Sequence, residues 1–219
     1  MSVWDDVVGQ EAVIAAFEAA ARSARALAEA REGAAQGPQA HEAAAGRPQG
    51  PPAPERGPAA APAGPAGPAD PAGPAGPAAP AVPDRAVDGS AMTHAWLITG
   101  PPGSGRSVAA RAFAAALQCT GPTPGCGRCK PCRDVMSGTH PDVVRLATEK
   151  LLITMEEVKG LIGEAQRRPW TGRWRVLLVE DADRMAERTT NVLLKSIEEP
   201  PPQTVWLLCT PSADDVLPT

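Results

Sequence analysis

A glycine-rich loop between an apolar run and a helical segment is the feature that most constrains how this chain can fold. The run HAWLIT at His94–Thr99 predicts a short strand, and SVAARAFAAALQ at Ser107–Gln118 is typical of a helix. Between them, GPPGSGRS at Gly100–Ser107 has the spacing of a phosphate-binding loop, in which backbone N–H groups curl around an anion at the helix N-terminus. The residues predicted to contact a nucleotide phosphate or its Mg²⁺ here are Gly100, Gly103, Ser104, Gly105, Arg106 and Ser107.

Two departures from a hydrolytic site accompany this loop. Arg106 stands where such loops have lysine, and its planar, longer side chain does not deliver the compact ammonium that contacts the β- and γ-phosphates. After the buried-strand pattern RVLLVE come Glu180 and Asp181, the reverse of the Asp-Glu order in which Asp holds Mg²⁺ and Glu activates water. The pattern predicts a nucleotide-binding scaffold with weakened catalysis. A turn that binds no ligand and a solvated acidic turn stay open as alternatives.

Four cysteines within fourteen residues form the second strong pattern. Cys119, Cys126, Cys129 and Cys132 read C-x6-C-x2-C-x2-C, and two overlapping C-x2-C steps can surround a tetrahedral zinc ion. Four protein ligands leave no open coordination position, so we expect the zinc to be structural. Free thiols or a redox pair are the alternatives. Cys209 lies in an apolar strand pattern and is expected in the core.

Strand and helix patterns alternate along the rest of the C-terminal part. Thr154 and Glu157 form a capping-box pattern that opens a helix running to about Arg168. A further helix is predicted at Glu187–Glu199 and a further buried strand at Thr204–Cys209. This alternation predicts an α/β fold with a parallel sheet flanked by helices.

The stretch from residue 33 to residue 90 has a different composition. It contains fourteen of the 26 prolines and almost no apolar side chain larger than alanine, so it cannot offset the entropy of its own ordering. Asp70 interrupts the glycine spacing that a collagen helix requires. We therefore predict three parts: an N-terminal helical part of the domain at 1–32, a disordered insertion at 33–90 and the domain core at 91–219, with the zinc module at 119–132.

Charge and hydropathy exclude several classes of protein. The formal net charge of −4 argues against a protein that coats nucleic acid by charge alone. No apolar run is long enough for a membrane span and the acidic N-terminus is no secretory signal, so we expect a cytoplasmic protein without a membrane partner. Trp170 and Trp174 among arginines leave nucleic-acid binding open, against a plain solvated turn.

Taken together, these motifs resemble the bacterial DNA polymerase III clamp-loader AAA+ family. The resemblance rests on their order along the chain and covers residues 1–32 and 91–219, nearly everything outside the proline-rich stretch. The matching segments are DDVVGQEAV (Asp5–Val13), HAWLITGPPGSGRS (His94–Ser107), the four-cysteine module, HPDV (His140–Val143), VLLVEDADRM (Val176–Met185) and NVLLKSIEEPP (Asn191–Pro201).

Within that family, Arg106 and the Glu180-Asp181 order favour the delta-prime subunit, a rigid stator, over the ATP-hydrolysing gamma/tau motor. The resemblance implies a role in loading the sliding clamp onto primed DNA during chromosomal replication. It implies gamma/tau and delta as partners, with the clamp and DNA contacted through the complex. It also implies structural zinc, with ATP and Mg²⁺ left open, and lid and collar domains beyond Thr219.

Overall fold

Four short strands form one parallel sheet in the computed structural model of the chain, which describes residues 2–35 and 92–216. Their order across the sheet is β1-β4-β3-β2, and every neighbouring pair is parallel. In chain order the strands are β1 (Ala95–Thr99), β2 (Val143–Leu146), β3 (Arg175–Val179) and β4 (Thr204–Thr210). The predicted α/β class with a parallel sheet is confirmed.

The helices lie on the two faces of this sheet. Thr154 and Glu157 form the predicted capping box, in which the Thr154 hydroxyl accepts from the Glu157 N–H and the Glu157 carboxylate accepts from the Thr154 N–H. In the described part of the chain the α-helices are α1 (Glu11–Ala35), α2 (Arg106–Gln118), α3 (Lys130–Met136), α4 (Met155–Ala165) and α5 (Glu187–Glu198). Single 3₁₀ turns follow β3 and β4.

Alternating side chains of the central strands supply two separate cores. Val176 and Leu178 of β3 point toward α1, α2 and α3, whereas Leu177 and Val179 point toward α4 and α5. All five β3 residues are buried, as expected for a parallel strand covered on both faces. The sheet is therefore the middle of three layers, and its carboxyl edge carries the loops that follow β1 and β3.

Two elements were not predicted. The cysteine module ends in helix α3, and Cys132 lies inside that helix. Strand β2 follows the HPDV segment and was missed because four residues at a sheet edge give almost no periodic pattern.

The predicted boundary at residue 32 also differs from the structure, because α1 continues through Gly33 to Ala35. Gly33 is exposed, and a Cβ added there would meet nothing within 4 Å, so this glycine does not end the helix. The rest of the insertion predicted at 33–90 lies outside the described residues. No described helix is long and apolar enough to cross a membrane.

Candidate functional site

The glycine-rich loop connects the carboxyl end of β1 to the N-terminus of α2. Gly103 and Gly105 have φ of 82° and 84°, in the left-handed region that favours glycine, and Gly105 is the residue before the helix. A turn closes where the Ser104 N–H donates to the Pro101 carbonyl at 3.1 Å. The first N–H groups of α2 precede its first helical bond, so they face the concave side without an intrahelical partner. This curled shape can receive an anion.

Arg106 is already engaged by its own chain. Its guanidinium donates to the Gly100 carbonyl and lies 3.3 Å from the Asp181 carboxylate, and its side chain is only 10% exposed. The guanidinium that would meet a nucleotide phosphate is therefore already engaged with the loop itself and with the turn after β3.

Glu180 is held by an arginine from the edge strand. The Nε and Nη2 of Arg145 donate to the two carboxylate oxygens of Glu180 at 2.7 and 2.9 Å, a bidentate pair. The same hydrogen bond raises the pKa of Arg145. Both oxygens of Glu180 are therefore engaged by one guanidinium, which fixes the orientation of the carboxylate toward β2.

Asp181 lies in a strained backbone conformation at the end of β3. Its φ of 51° and ψ of 54° are left-handed, which is uncommon for a residue with a side chain. Its carboxylate oxygens lie 3.3 Å from Arg106 on one side and 3.3 Å from Arg184 on the other. The loop and the acidic residues thus come together as a set of internal ion pairs.

The four cysteines converge at the opposite end of α2. Their sulfur atoms all lie within 4.8 Å of one another, and the Cys119 and Cys129 sulfurs are 3.8 Å apart. A tetrahedral zinc with Zn–S bonds of about 2.3 Å would separate its sulfurs by about 3.8 Å. Cys119 and Cys132 are buried, whereas Cys126 and Cys129 are half-buried. The residues present therefore fit a closed zinc site.

Hydrogen bonds to sulfur prepare this cluster for a metal. The Gly121 N–H donates to the Cys119 sulfur at 3.3 Å and the Cys129 N–H to the Cys126 sulfur at 3.4 Å. A side-chain hydrogen bond from Cys132 lowers the pKa of Cys119 to about 4 and raises the pKa of Cys132 itself. A thiolate is the form that binds metal, and these hydrogen bonds favour the thiolate of Cys119.

The predicted aromatic and basic cluster is only partly at the surface. Trp174 and Arg175 are buried, and Arg173 lies within 3.6 Å of carboxylates of Glu29 and Glu32 on α1. Trp170 alone among the clustered aromatics is exposed. Arg167 and Arg168 stay exposed beside Trp170, so burial and ion pairing with α1 engage two of the four arginines of this segment.

Asp142, the third residue of the HPDV segment, organises the loop before β3. It is fully buried and accepts from the backbone N–H groups of Trp170, Thr171 and Gly172 at 2.6–2.7 Å, with Arg175 at 3.6 Å. Burial opposes its ionisation, but these donors outweigh it and hold the pKa of Asp142 below its usual value. The segment has a structural role in the sheet.

Two other predictions concern single residues. Cys209 is buried in β4, and burial raises the pKa of its thiol to about 12, as suits a core cysteine. His140 is buried and its Nδ1 accepts from the Asp142 N–H at 3.1 Å; it is not among the converging metal ligands. Burial lowers the pKa of His140.

Sequence reasoning missed two contacts of the loop region. Arg145 was overlooked because strand β2 was not predicted, and Gln10 because its partner, the Ser104 carbonyl, is 94 residues away. Gln10 belongs to the DDVVGQEAV segment, so the resemblance marked it without giving it a role.

Comparisons with known proteins identify the family. A family model described as DNA polymerase III, delta subunit, matches residues 82–219. The chain is 38% identical over 130 residues to DNA polymerase III subunit delta' of Pseudomonas aeruginosa, covering 58% of this chain and 40% of that protein. It is 34% identical over 130 residues to the delta' subunit of Escherichia coli, covering 58% and 39%.

More distant similarity extends to other subunits. The tau/gamma subunit of Haemophilus influenzae is 32% identical over 122 residues, covering 54% of this chain and 17% of that protein. A crystal structure of a DNA polymerase III gamma subunit-related protein from Thermotoga maritima aligns with a TM-score of 0.41 at 22% identity, over 57% of this chain and 36% of that one.

The chain spans about two fifths of the length of the delta' relatives that it matches. The family match, however, covers more than half of the chain itself, including the glycine-rich loop, the four cysteines and the sheet. The chain therefore belongs to the DNA polymerase III delta subunit family, and within it the chain is similar to delta' subunits.

Proposed function

We propose that this chain acts as a delta-prime subunit of the bacterial clamp loader, as a structural component that does not hydrolyse ATP. Its partners are then the gamma/tau and delta subunits, and through the complex the sliding clamp and primed DNA. The proposal combines the family membership with one observation: the arginine of the glycine-rich loop and both acidic residues after β3 are ion-paired within the chain.

The ion pairs bear on hydrolysis because each group would be needed elsewhere. Hydrolysis of a nucleoside triphosphate needs a cation on the β- and γ-phosphates, a carboxylate on Mg²⁺ and a group that orients water. Here Arg106 and Asp181 neutralise one another, and Arg145 occupies Glu180. Binding Mg²⁺ and nucleotide would require at least two of these pairs to break first.

The scaffold itself supports an AAA+ type of domain. The loop joins a parallel strand to a helix N-terminus, and β1 lies next to β4 in the sheet. In this proposal Gly100, Gly103, Ser104, Gly105 and Ser107 keep the shape of a nucleotide site. The rigid shape, rather than turnover, is what a stator contributes to a multi-subunit loader.

The four cysteines are proposed to hold a structural zinc ion. A closed set of four thiolates supplies folding free energy and leaves no position for a substrate or water. In that role zinc would stabilise the connection between α2 and α3, where residues 120–124 are exposed or half-buried and contribute little packing of their own.

An ATP-hydrolysing motor subunit of the same complex is the second candidate. The specific support is the curled glycine-rich loop together with 32–34% identity to tau and gamma/tau subunits. It differs from the first candidate in a measurable way, because a motor must bind MgATP with its own loop.

Calorimetric titration of the purified chain with MgATP, with zinc analysis of the same sample, tests the proposal. We expect one zinc per chain and no MgATP binding tighter than a Kd of about 1 mM. Micromolar binding together with steady hydrolysis would exclude the stator role and favour the motor. A chain without zinc would remove the metal site but leave the nucleotide question to the titration.

A further inference from the structure

The first residues of the chain touch both the cysteine module and the glycine-rich loop. At one end the Val3 N–H and the Ser2 hydroxyl both donate to the Gly125 carbonyl at 3.0 Å. At the other end the Gln10 side-chain amide donates to the Ser104 carbonyl. We call residues 2–10 the N-terminal strap.

The strap is seated closely on the cysteine module. Gly125 has a φ of 77°, and a Cβ added there would lie 2.8 Å from the Val3 side chain and 2.8 Å from Nε1 of Trp4. Val3, Trp4 and Val7 are buried, and Trp4 stacks on Phe17 of α1 with ring centroids 6.4 Å apart. Because the packing is this close, a small displacement of Gly125 would also move Val3 and Trp4.

The position of Gly125 depends on the cysteines on either side of it. Gly125 lies between Cys119 and Cys126, in a loop whose Thr120, Pro122 and Thr123 are exposed. Arg25 of α1 supports this loop by donating to the carbonyls of Cys119 and Pro122, each at 3.0 Å. A loop with so little buried apolar surface has few contacts of its own to hold it, so closure of the four sulfurs around a metal would define its shape.

The strap and α2 run between the same two sites. Helix α2 has thirteen residues, about 20 Å, with the glycine-rich loop at its N-terminus and Cys119 just after its C-terminus. The seven peptide steps from Val3 to Gln10 can span about 23 Å when extended. The two sites are therefore joined by a continuous set of packed and hydrogen-bonded residues, which is what energetic coupling requires.

We propose that metal occupancy of the four-cysteine site controls the order of the glycine-rich loop through the N-terminal strap. With the metal bound, Gly125 holds the strap and Gln10 fixes the Ser104 carbonyl. Without it, the strap detaches from Gly125 and the loop loses its Gln10 contact. This inference rests on the metal binding proposed above and is independent of whether the chain binds nucleotide.

Hydrogen exchange of the full chain, loaded with Zn²⁺ or treated with a chelator, tests the coupling. We expect chelation to speed exchange about tenfold or more in peptides covering residues 2–10 and 100–106, while β4 peptides at 204–210 stay protected. Unchanged exchange in the strap would overturn the proposal, and so would a released strap beside an unchanged loop.

A glycine substitution separates the strap from the metal. Gly125→Ala should speed exchange in both segments with one zinc still bound, because the new Cβ displaces Val3 and Trp4. Gly138→Ala is the matched control, since Gly138 has a φ of 76° and a Cβ added there would meet nothing within 4 Å. Equal exchange in the two variants would contradict the proposal.

Two further measurements separate the ways in which the idea could fail. Gln10→Ala should loosen residues 100–106 and leave the zinc content and the Gly125 contacts unchanged; protection of the loop in this variant would contradict the strap as its support. A wild-type chain that takes up no Zn²⁺ refutes the metal site and this coupling together, whereas normal zinc with unchanged exchange refutes the coupling alone. If chelation also exposes β4, the comparison of Gly125→Ala with Gly138→Ala decides.

Discussion

The two ends of helix α2 carry two sites whose chemical groups are in opposite conditions. At the N-terminal end, Arg106 and the neighbouring acidic residues are satisfied by ion pairs within the chain. At the C-terminal end, four sulfurs converge within 4.8 Å and find only weak hydrogen bonds around them. The charged groups at the N-terminal end are therefore paired within the chain, whereas the sulfurs at the C-terminal end are arranged to bind an additional ligand.

The difference shows that a motif's shape and its chemical readiness are separate properties. The glycine-rich loop keeps its curl because glycine φ angles and the start of a helix dictate it. Chemical readiness depends on whether the charged groups are free to bind a ligand. Here arginines from other parts of the chain form ion pairs with Glu180 and Asp181. For the cysteines, shape and readiness coincide, because weak S–H hydrogen bonds compete poorly with a metal.

Removing the metal should have the largest effect on stability. A ligand present at a thousand times its Kd adds about 4 kcal/mol to the free energy of unfolding, and we expect a loss of that order when a chelator strips zinc. Denaturant unfolding with and without chelator measures it, and Cys132→Ser should behave like the stripped protein. Equal unfolding curves would contradict the comparison, because the cysteine site would then need no ligand for its stability, just as the glycine-rich loop needs none.

Replacing the buried carboxylate of Asp142 should have the second largest effect on stability. It measures how much an ion-paired and hydrogen-bonded charge contributes to the free energy of unfolding. Asp142→Asn removes the negative charge that faces Arg175 and accepts from three backbone N–H groups. We expect the free energy of unfolding to fall by about 3 kcal/mol, as when one partner of a buried ion pair is removed. Asp134→Asn is the control, because the Lys130 partner is 79% exposed and an i,i+4 pair of this kind is worth about 0.5 kcal/mol. Similar losses in both variants would contradict this ranking.

The same residue gives a pH dependence. The pKa of Asp142 is lower when folded than when unfolded, so its stabilising contribution is present above the unfolded pKa of about 3.9 and is lost as pH falls through the folded value. Wild-type stability should therefore fall more steeply than that of Asp142→Asn below about pH 4. Parallel pH profiles would mean that the pKa of Asp142 is the same in the folded and unfolded states and would contradict this prediction.

Arg106→Lys tests the loop end with a smaller effect. Loss of the contacts to Gly100 and Asp181 should lower stability by about 1 kcal/mol, since the pair is only partly buried. ATP turnover should stay at background, because Arg145 still occupies Glu180. Chemical denaturation and a steady-state ATPase assay check the two statements, and a large gain in turnover would mean that the arginine alone silences the site.

Arg145→Ala should have the smallest effect. Its side chain is half exposed, so loss of the pair with Glu180 should cost about 0.5 kcal/mol. Arg168→Ala, an exposed arginine in the loop after α4, controls for removal of a surface charge. A loss above about 2 kcal/mol for Arg145 alone would make this pair a structural element rather than a restraint on Glu180.

Much of the fold could be predicted because its signals are local. Continuous apolar runs located β1, β3 and β4 to within one residue, and the Thr154–Glu157 capping box marked the start of α4. Strand β2 and helix α3 escaped prediction because each is short and stabilised mainly by neighbours in the sheet or on α2.

The sequence by itself determined the parallel α/β scaffold, the curled loop and the identity of the four metal-ligand candidates, because periodicity, glycine conformations and close cysteine spacing act over a few residues. Only the tertiary structure decided which charges remain available. Glu180 meets Arg145 across 35 positions and Arg106 meets Asp181 across 75, and such ion pairs depend on how strands and loops are placed, which no local pattern records.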